Sequence, residues 1–469
     1  MIKRVFEWMQ GDGEFADAAS SGKFSDWQLL RLRRIGVDFD IQELALFWLD
    51  PEFESEMAAC MEQDAIPPAL EAKVKGYPLL ELWARFANRK GRLRRQTRCD
   101  LFRVPECPPL DAWRWRQILA ARSELGYFGH AIDYPILAFE LGDGCSVGCW
   151  FCAFATQKLK RNLDYETEGD FFRDVASACV SLFGAREAAM ALLYYGTEPH
   201  DNPHYLDFIK DYKKITGYAT CTSTAVPLDT EWLRSLIRFY REERQPWPRL
   251  SVLTKDMMYK IHDLYTPDEL RDVELLMQMR EHKRGKVSGG RILAEHKGMR
   301  EREAGAYLDG VVPQGTIACV SGFLVNMARR DIRVVSPCYT SEKWKYGYRV
   351  FDQAEFKDAR DFPDVVRGLI ARNMPTAPPR NAKARFRDDL VYKPTEDGFD
   401  LISPNQVHHF TGRNLHSALG GLVARGDLTY DGLDDELAST DGVNPLLAGM
   451  AVKSLFDGGF MDELYTDPL

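Results

Sequence analysis

The feature that most constrains this chain is a group of three closely spaced cysteines: Cys145, Cys149 and Cys152. It directly follows an apolar run, residues 134–141, which predicts a short buried strand, and the glycines that come next predict the loop leaving it. Three thiolates on one tight loop can converge on one metal centre. The sequence offers no second pair of ligands of the kind that completes a structural zinc site. Thiolates also hold iron–sulfur cubes, in which three cysteines leave the fourth iron open to another ligand.

The stretch Gly-Cys-Ser-Val-Gly-Cys-Trp-Phe-Cys resembles the cluster motif of radical S-adenosylmethionine (SAM) enzymes. This resemblance implies one 4Fe–4S cluster held by the three cysteines, with SAM chelated to the open iron and Phe151 beside its adenine. It also implies that one electron, from a donor such as flavodoxin or ferredoxin, splits SAM into methionine and a 5′-deoxyadenosyl radical. The alternative is a chance cluster of cysteines or an incomplete zinc knuckle.

A second motif, Gly196-Thr197-Glu198-Pro199, follows the next predicted strand. It resembles the Gly-Gly-Glu-Pro motif of the same enzymes, with Thr197 in place of the second glycine. The resemblance implies that the Glu198 carboxylate and neighbouring backbone carbonyls accept hydrogen bonds from the SAM amino group. Taken alone, the motif predicts only a turn.

Weaker candidates lie at other predicted strand ends. The hydroxyl groups of Ser223 and Ser251 could bond the SAM ribose or carboxylate, and the stretch 288–291, Ser-Gly-Gly-Arg, has similar weight. The alternative is the ordinary polarity of strand residues.

Between about residues 130 and 335, apolar strand-like runs alternate with helical patterns, which predicts an α/β fold with a parallel sheet and crossover helices. The strand-like runs are 136–141, 189–195, 218–223, 249–253 and 286–292. Segments 169–182 and 230–241 have helical patterns. Radical SAM enzymes fold as a partial (β/α)6 barrel, so the resemblance implies that architecture, with the chemistry at the C-terminal ends of the strands.

The flanks of the barrel predict further domains. The expected division is an N-terminal helical region 1–125, a barrel 126–335, a post-barrel segment 336–375 and a C-terminal α+β module 376–469. In the module, a hairpin formed by 388–393 and 398–402 precedes helical segments 413–424 and 433–438. This pattern resembles small winged-helix modules that bind leader peptides as an added strand. The alternative is a cap that only covers the barrel.

Two later cysteines, Cys319 and Cys338, are too few for an auxiliary cluster with four thiolates. Each is either a small buried hydrophobe or a reactive thiol. The order of the cysteine motif, Gly-Thr-Glu-Pro and Ser-Pro-Cys, followed by Glu-Lys-Trp and Gly-Tyr, resembles the proteusin-type radical SAM peptide epimerases. These enzymes convert L- to D-residues in ribosomally made precursor peptides, and the resemblance covers about residues 130 to 355.

An epimerase implies a thiol that donates a hydrogen atom to the substrate Cα radical. We expect Cys338 in this role, because Pro337 fixes the backbone before it, with Cys319 as second choice. The alternative activities are thioether or carbon–carbon crosslinking of a peptide, and a different class is a non-catalytic metal-binding adaptor.

Composition limits the partners and the compartment. With 469 residues the chain is too long for one ordinary core, and its net charge of −9 argues against a nucleic-acid partner. No apolar stretch is long enough to span a bilayer, and residues 1–8 lack the apolar core of a signal peptide. We therefore expect a cytoplasmic protein with no membrane partner and with reduced cysteines.

Overall fold

The computed structural model of the chain describes residues 1–48, 50–61, 63–96, 103–243, 248–279, 289–292 and 316–465. The chain is divided into two compact units. One consists of Met1–Cys99, Glu198–Leu206 and Tyr218–Gly285, and the other of Asp100–Thr197, Asp207–Gly217 and Lys286–Leu469. We call them the first and the second unit. None of the described helices is both long and apolar enough to cross a membrane.

The described helices, in chain order, are α1 (Ile2–Gly11), α2 (Gly13–Ser21), α3 (Asp26–Arg34), α4 (Ile41–Trp48), α5 (Pro51–Met61), α6 (Pro68–Val74), α7 (Pro78–Gln96), α8 (Pro108–Leu125), α9 (Tyr127–Ala131), α10 (Tyr165–Phe183), α11 (Ala185–Ala189), α12 (Tyr205–Thr216), α13 (Thr230–Glu243), α14 (Lys255–Leu264), α15 (Phe362–Asn373), α16 (Arg413–Arg425), α17 (Tyr430–Ala438) and α18 (Pro445–Asp457). A short 3₁₀ turn spans Pro199–Asp201.

The described strands are β1 (Leu137–Glu140), β2 (Gly142–Asp143), β3 (Arg161–Asn162), β4 (Ser223–Thr224), β5 (Arg249–Val252), β6 (Glu274–Met277), β7 (Gly322–Asn326), β8 (Asp331–Pro337), β9 (Tyr348–Glu355), β10 (Val391–Thr395), β11 (Gly398–Ile402) and β12 (Val407–Thr411). Together with the helices they confirm a mixed α/β architecture.

The first unit combines helices α1 to α7 with a three-stranded parallel sheet of order β4-β5-β6. Leu250 and Val252 of β5 are fully buried, which matches the apolar run predicted at 249–253. The amphipathic helix α13 follows β4 and buries Leu233 and Leu236, as its predicted helical pattern requires. Of the predicted run 218–223, only Ser223 belongs to a strand.

The second unit is built on a four-stranded sheet of order β1-β7-β8-β9. Strand β1 is buried along its whole length and pairs in parallel with β7, with Ala138 opposite Leu324. Strands β7, β8 and β9 continue the sheet in antiparallel register. The sequence predicted β1, whereas the pairing with β7 was not predicted.

Two further predicted strands differ from the structure. In the run 189–195, Ala189 is the last residue of helix α11, and only Leu192 pairs with β1, as an isolated parallel bridge to Ala138. In the run 286–292, residues 286–288 lie outside the described residues, and Gly290–Ile292 form a helical turn instead of a strand. Parallel pairing is therefore divided between two sheets in the described part of the chain, and the partial (β/α)6 barrel stays a prediction.

The C-terminal region consists of an antiparallel sheet of order β10-β11-β12 and the helices α16, α17 and α18. The predicted hairpin and the first two helices are present, while β12 and α18 were not predicted. Its core is formed by Phe399, Leu401, Leu419, Leu433 and Leu455, all at most 1% exposed. Whether this region has a winged-helix topology and function remains a prediction.

The C-terminal region is attached to α8 within the second unit. Arg116 of α8 forms a buried ion pair with Glu463, with its Nη2 atom 2.6 Å from Oε2. The Ser403 hydroxyl donates a hydrogen bond to the backbone carbonyl of Ser123 at 2.7 Å. These bonds make α8 the support on which the C-terminal region rests.

Candidate functional site

The three cysteines lie on a loop that leaves the C-terminal end of β1. We call residues 144–160 the cysteine loop. Its base is closed by the antiparallel pair β2–β3, in which Asp143 lies opposite Arg161. Inside the loop, the Cys145 backbone N–H donates to the Gln157 carbonyl at 3.0 Å, and the Cys152 N–H donates to the Cys149 carbonyl at 3.2 Å. The loop therefore has a defined backbone.

Gly144 is required at the start of this loop. Its φ is +106°, and a Cβ atom would lie 2.5 Å from the Lys158 carbonyl oxygen. Any other residue would push the two arms of the loop apart.

The donor set of the loop suits an iron–sulfur cluster. Cys145, Cys149 and Cys152 are all half-buried and share one short segment, so three sulfur ligands are available without folding in a distant part of the chain. Among the described residues, no three His, Cys, Asp or Glu side chains lie close enough together to hold a metal ion. Ligand type and location thus fit the cluster, whereas the convergence of the thiols is not present.

Glu140, the last residue of β1, connects the cysteine loop to the second motif. Its Oε1 atom accepts a hydrogen bond from the Gly196 backbone N–H at 3.0 Å, and Oε2 accepts one from Asn326 Nδ2, also at 3.0 Å. A Cβ atom on residue 196 would lie 2.8 Å from Glu140 Oε1 and 3.1 Å from Thr156 Oγ1. The motif therefore needs glycine here for a steric reason.

The sequence motifs do not include Glu140 or Asn326. A carboxylate at the end of an apolar run, immediately before the cysteine motif, was the available signal for Glu140. Asn326 carried no such signal, because Asn326 becomes a neighbour of Glu140 only when β7 pairs with β1.

The second motif is divided between the two units, since Gly196 and Thr197 belong to the second unit, and Glu198 and Pro199 to the first. In the first unit, Glu198 accepts hydrogen bonds from the Thr224 hydroxyl, from the Ala225 N–H at 2.8 Å and from the His200 N–H at 3.1 Å. Burial raises the pKa of Glu198 above its usual value, although these three bonds oppose the shift.

The remaining predicted SAM contacts are placed as follows. Ser223 is half-buried in β4, and its neighbour Thr224, not Ser223, bonds to Glu198. Ser251 is half-buried in β5, opposite Leu276 of β6. Phe151 packs edge-on against Trp150 within the cysteine loop, with ring centroids 5.6 Å apart. Ser288 lies outside the described residues.

The two candidate hydrogen donors lie in different environments. Cys338 is 0% exposed and has the charged groups Arg349 and Glu124 as neighbours, and burial raises the pKa of its thiol strongly. A thiol that is fully enclosed by the protein cannot touch a bound peptide in this conformation. Cys338, the donor that the sequence favours, therefore lacks the access to substrate that a hydrogen donor needs.

Cys319 is half-buried and packs against the apolar cluster on one face of the β1–β7–β8 sheet, which contains Ala138 and Leu324. Phe154, two residues after the last cysteine of the loop, packs against the same cluster. Its ring stacks on that of Tyr195, with ring centroids 4.5 Å apart. Burial and the neighbouring Cys319 thiol raise the pKa of Tyr195 well above its usual value. Cys319 is thus the candidate thiol that packs on the same apolar cluster as Phe154 of the cysteine loop.

Comparison with known proteins gives an extended match to a relative and a weak likeness to a solved structure. No protein-family model matches the chain. The crystal structure of BtrN in complex with AdoMet and 2-DOIA shares 15% identity with it at a TM-score of 0.25, over 31% of this chain and 57% of that one. At this TM-score the likeness defines neither a shared fold nor a shared function.

The uncharacterized protein y4wI of Sinorhizobium fredii (strain NBRC 101917 / NGR234) is 32% identical over 465 residues, which cover 98% of this chain and 87% of that protein. The chain belongs to the same family as y4wI.

Proposed function

We propose that this protein is a radical SAM enzyme with one 4Fe–4S cluster on Cys145, Cys149 and Cys152. The observation that carries the proposal is the cysteine loop at the C-terminal end of β1, whose last residue, Glu140, holds Gly196 of the second motif. When bound, the cluster and SAM together supply a carbon radical that abstracts hydrogen. The chain's own residues bind and orient these groups and exclude water.

For SAM, we propose the contacts that the resemblance to radical SAM enzymes implies. The Glu198 carboxylate and the backbone of Gly196 to Pro199 accept hydrogen bonds from its amino group, and Phe151 lies beside its adenine. Ser223 and Ser251 are the candidate partners of its ribose and carboxylate. The bonds from Thr224 and Ala225 fix the Glu198 carboxylate in one orientation, which supports its use as a ligand.

For the reaction, we propose inversion of L- to D-residues in a ribosomally made precursor peptide. The substrate loses its Cα hydrogen to the radical, and the Cys319 thiol donates a hydrogen atom to the opposite face of the same carbon. The sulfur radical that remains takes up one electron and one proton, the electron coming from a donor such as flavodoxin or ferredoxin. Cys319 suits this role better than Cys338 because it is only half-buried and lies beside the cysteine loop.

For substrate recognition, we propose the C-terminal sheet. Strands β10 and β12 are its two edges, and each exposes an apolar side chain, Val391 at 62% and Val407 at 49%. An edge strand presents backbone groups that a peptide can pair with. The leader segment of the precursor is the proposed occupant.

The test is co-expression with a candidate precursor peptide in deuterated water, followed by mass spectrometry and chiral amino-acid analysis. Epimerisation adds one deuterium at each inverted Cα, because the thiol hydrogen exchanges with solvent. A loss of two hydrogens per event indicates crosslinking instead. An unmodified peptide together with zinc in the purified protein indicates a metal-binding adaptor.

A further inference from the structure

A short segment from a later part of the chain holds the cysteine loop. The backbone N–H of Arg291 donates to the carbonyl oxygen of Cys152 at 3.0 Å. Its guanidinium Nη1 donates to the Cys149 carbonyl at 3.0 Å, and Nη2 donates to the Thr156 carbonyl. One residue thus bonds three backbone carbonyls of the loop, two of them on cysteines of the motif.

The residue before Arg291 is fitted closely to the same loop. Gly290 has a φ of +50°, and a Cβ atom there would lie 2.3 Å from the Ala153 carbonyl oxygen and 2.5 Å from that of Cys152. These distances are below any normal contact, so a side chain at this position would separate the segment from the loop. Gly290 therefore permits the approach that the Arg291 bonds require.

The segment is itself bonded to residues 338–347, the turn between β8 and β9. The Gly290 N–H donates to the Lys345 carbonyl at 3.1 Å. In that turn, the Gly347 carbonyl accepts hydrogen bonds from the Cys338 N–H at 3.0 Å and from the Thr316 hydroxyl at 2.7 Å. The backbone next to Arg291 is therefore itself held by a hydrogen bond to this part of the chain.

We propose that Arg291 is the positioning residue of the cysteine loop, which fixes the backbone around Cys149 and Cys152 for the iron–sulfur cluster. The identity of the bound group rests on the proposed function, whereas the three hydrogen bonds from Arg291 to the loop are observed. A loop that is ordered before it binds its ligand loses less conformational entropy on binding. Residues that orient metal ligands without touching the metal commonly affect retention of the metal.

The experiment compares the full-length protein with Arg291→Gln and Arg291→Lys. Gly449→Ala serves as the control, because a Cβ atom there meets nothing within 4 Å. Hydrogen exchange of the amides of residues 145–159 is followed without cluster. We expect about tenfold faster exchange in Arg291→Gln, which corresponds to about 1.4 kcal/mol. Arg291→Lys keeps a charged donor, so its exchange rate should lie between those of the native protein and Arg291→Gln. Gly449→Ala should exchange at the native rate.

The second readout is the rate at which a chelator removes iron from the reconstituted protein. Faster loss from Arg291→Gln, with partial rescue in Arg291→Lys, supports the proposal. Unchanged exchange overturns it, and so does faster exchange with unchanged iron loss, since Arg291 would then only stabilise the fold. If the native protein binds no cluster and exchange is still faster in Arg291→Gln, the proposed function is overturned, but the role of Arg291 in ordering the cysteine loop stands.

Discussion

The Glu140 carboxylate accepts a hydrogen bond from the Gly196 backbone N–H at 3.0 Å, although 56 positions separate the two residues. The second carboxylate oxygen is used by Asn326 of β7. Glu140 is only 7% exposed, so its partners would lose these bonds without replacement by bulk water. Glu140 therefore joins the end of β1, the second motif and β7 before any cofactor is bound.

Replacing Glu140 by Gln should lower the free energy of unfolding by about 1–3 kcal/mol, because the amide presents a donor to one of two neighbouring N–H donors. Urea unfolding of the full-length protein measures the change. The exposed Glu396→Gln, in the turn between β10 and β11, is the matched control and should stay within about 0.5 kcal/mol of the native value. Equal stability of Glu140→Gln and the control would remove the joining role.

Glu198→Ala should weaken SAM binding while leaving iron and sulfide content unchanged. The proposed carboxylate ligand is lost, but the cysteine loop keeps its own hydrogen bonds. Equilibrium binding of SAM to the reconstituted variant, beside an iron and sulfide assay, measures both. Native SAM affinity in this variant would exclude Glu198 as a ligand.

Stability should also depend on pH through Glu198. Burial raises its pKa in the folded state, so the folded protein binds this proton more tightly than the unfolded chain does. The contribution is fully present below the unfolded pKa of about 4.3 and is lost as the pH rises through the raised folded value.

Glu198→Gln removes the ionisable group, so the difference in unfolding free energy, native minus variant, should fall as the pH increases from about 4. Urea unfolding of both proteins across that range checks the sign. A difference that rises with pH would mean that the folded carboxyl has a lowered pKa.

Cys319→Ala should still form 5′-deoxyadenosine with the precursor peptide, but it should not yield D-residues. The substrate radical forms in this variant and lacks its hydrogen donor. Cys338→Ala should keep inversion, because its thiol is enclosed, with an expected loss of stability from the small cavity. Chiral analysis and deuterium content of the peptide distinguish the two. The reverse result would restore Cys338 as the donor.

The buried pair Arg116–Glu463 should dominate attachment of the C-terminal region. The two side chains are 2% and 3% exposed, and the Arg116 guanidinium also lies 4.1 Å from the Phe456 ring centre. Glu463→Ala leaves a buried charge without its partner and should reduce stability by about 3–5 kcal/mol. Thermal or urea unfolding measures this, and a loss below 1 kcal/mol would show that the pair is not essential.

The same contacts decide how peptide recognition is best tested. Removing residues from about 380 onward would also remove Glu463 and leave Arg116 without its carboxylate, so lost peptide binding would have two causes. Val391→Lys and Val407→Lys change only exposed edge positions. Weaker binding of the precursor by one of them would identify the edge that the peptide uses.

Short-range features of this protein could be predicted from the sequence. The buried strand β1 follows from an uninterrupted apolar run, helix α13 from its period of apolar residues, and the hairpin β10–β11 from two strand patterns around a turn. The cysteine loop was equally legible, because all three thiols lie within eight positions. In each case the side chains that determine the element are neighbours along the chain.

Contacts between distant segments were decided by the tertiary structure alone. A short apolar run carries no information about its partner, so 189–195 was predicted as a full strand, whereas β7 takes the long parallel pairing with β1. The stretch 288–291 is only a weak candidate in the sequence, and Asn326 looks like an ordinary polar residue. Arg291 and Asn326 acquire their roles when their segments are brought to the cysteine loop and to Glu140. Their roles depend on register and on a close approach of backbones, which are properties of packed elements and not of residue patterns.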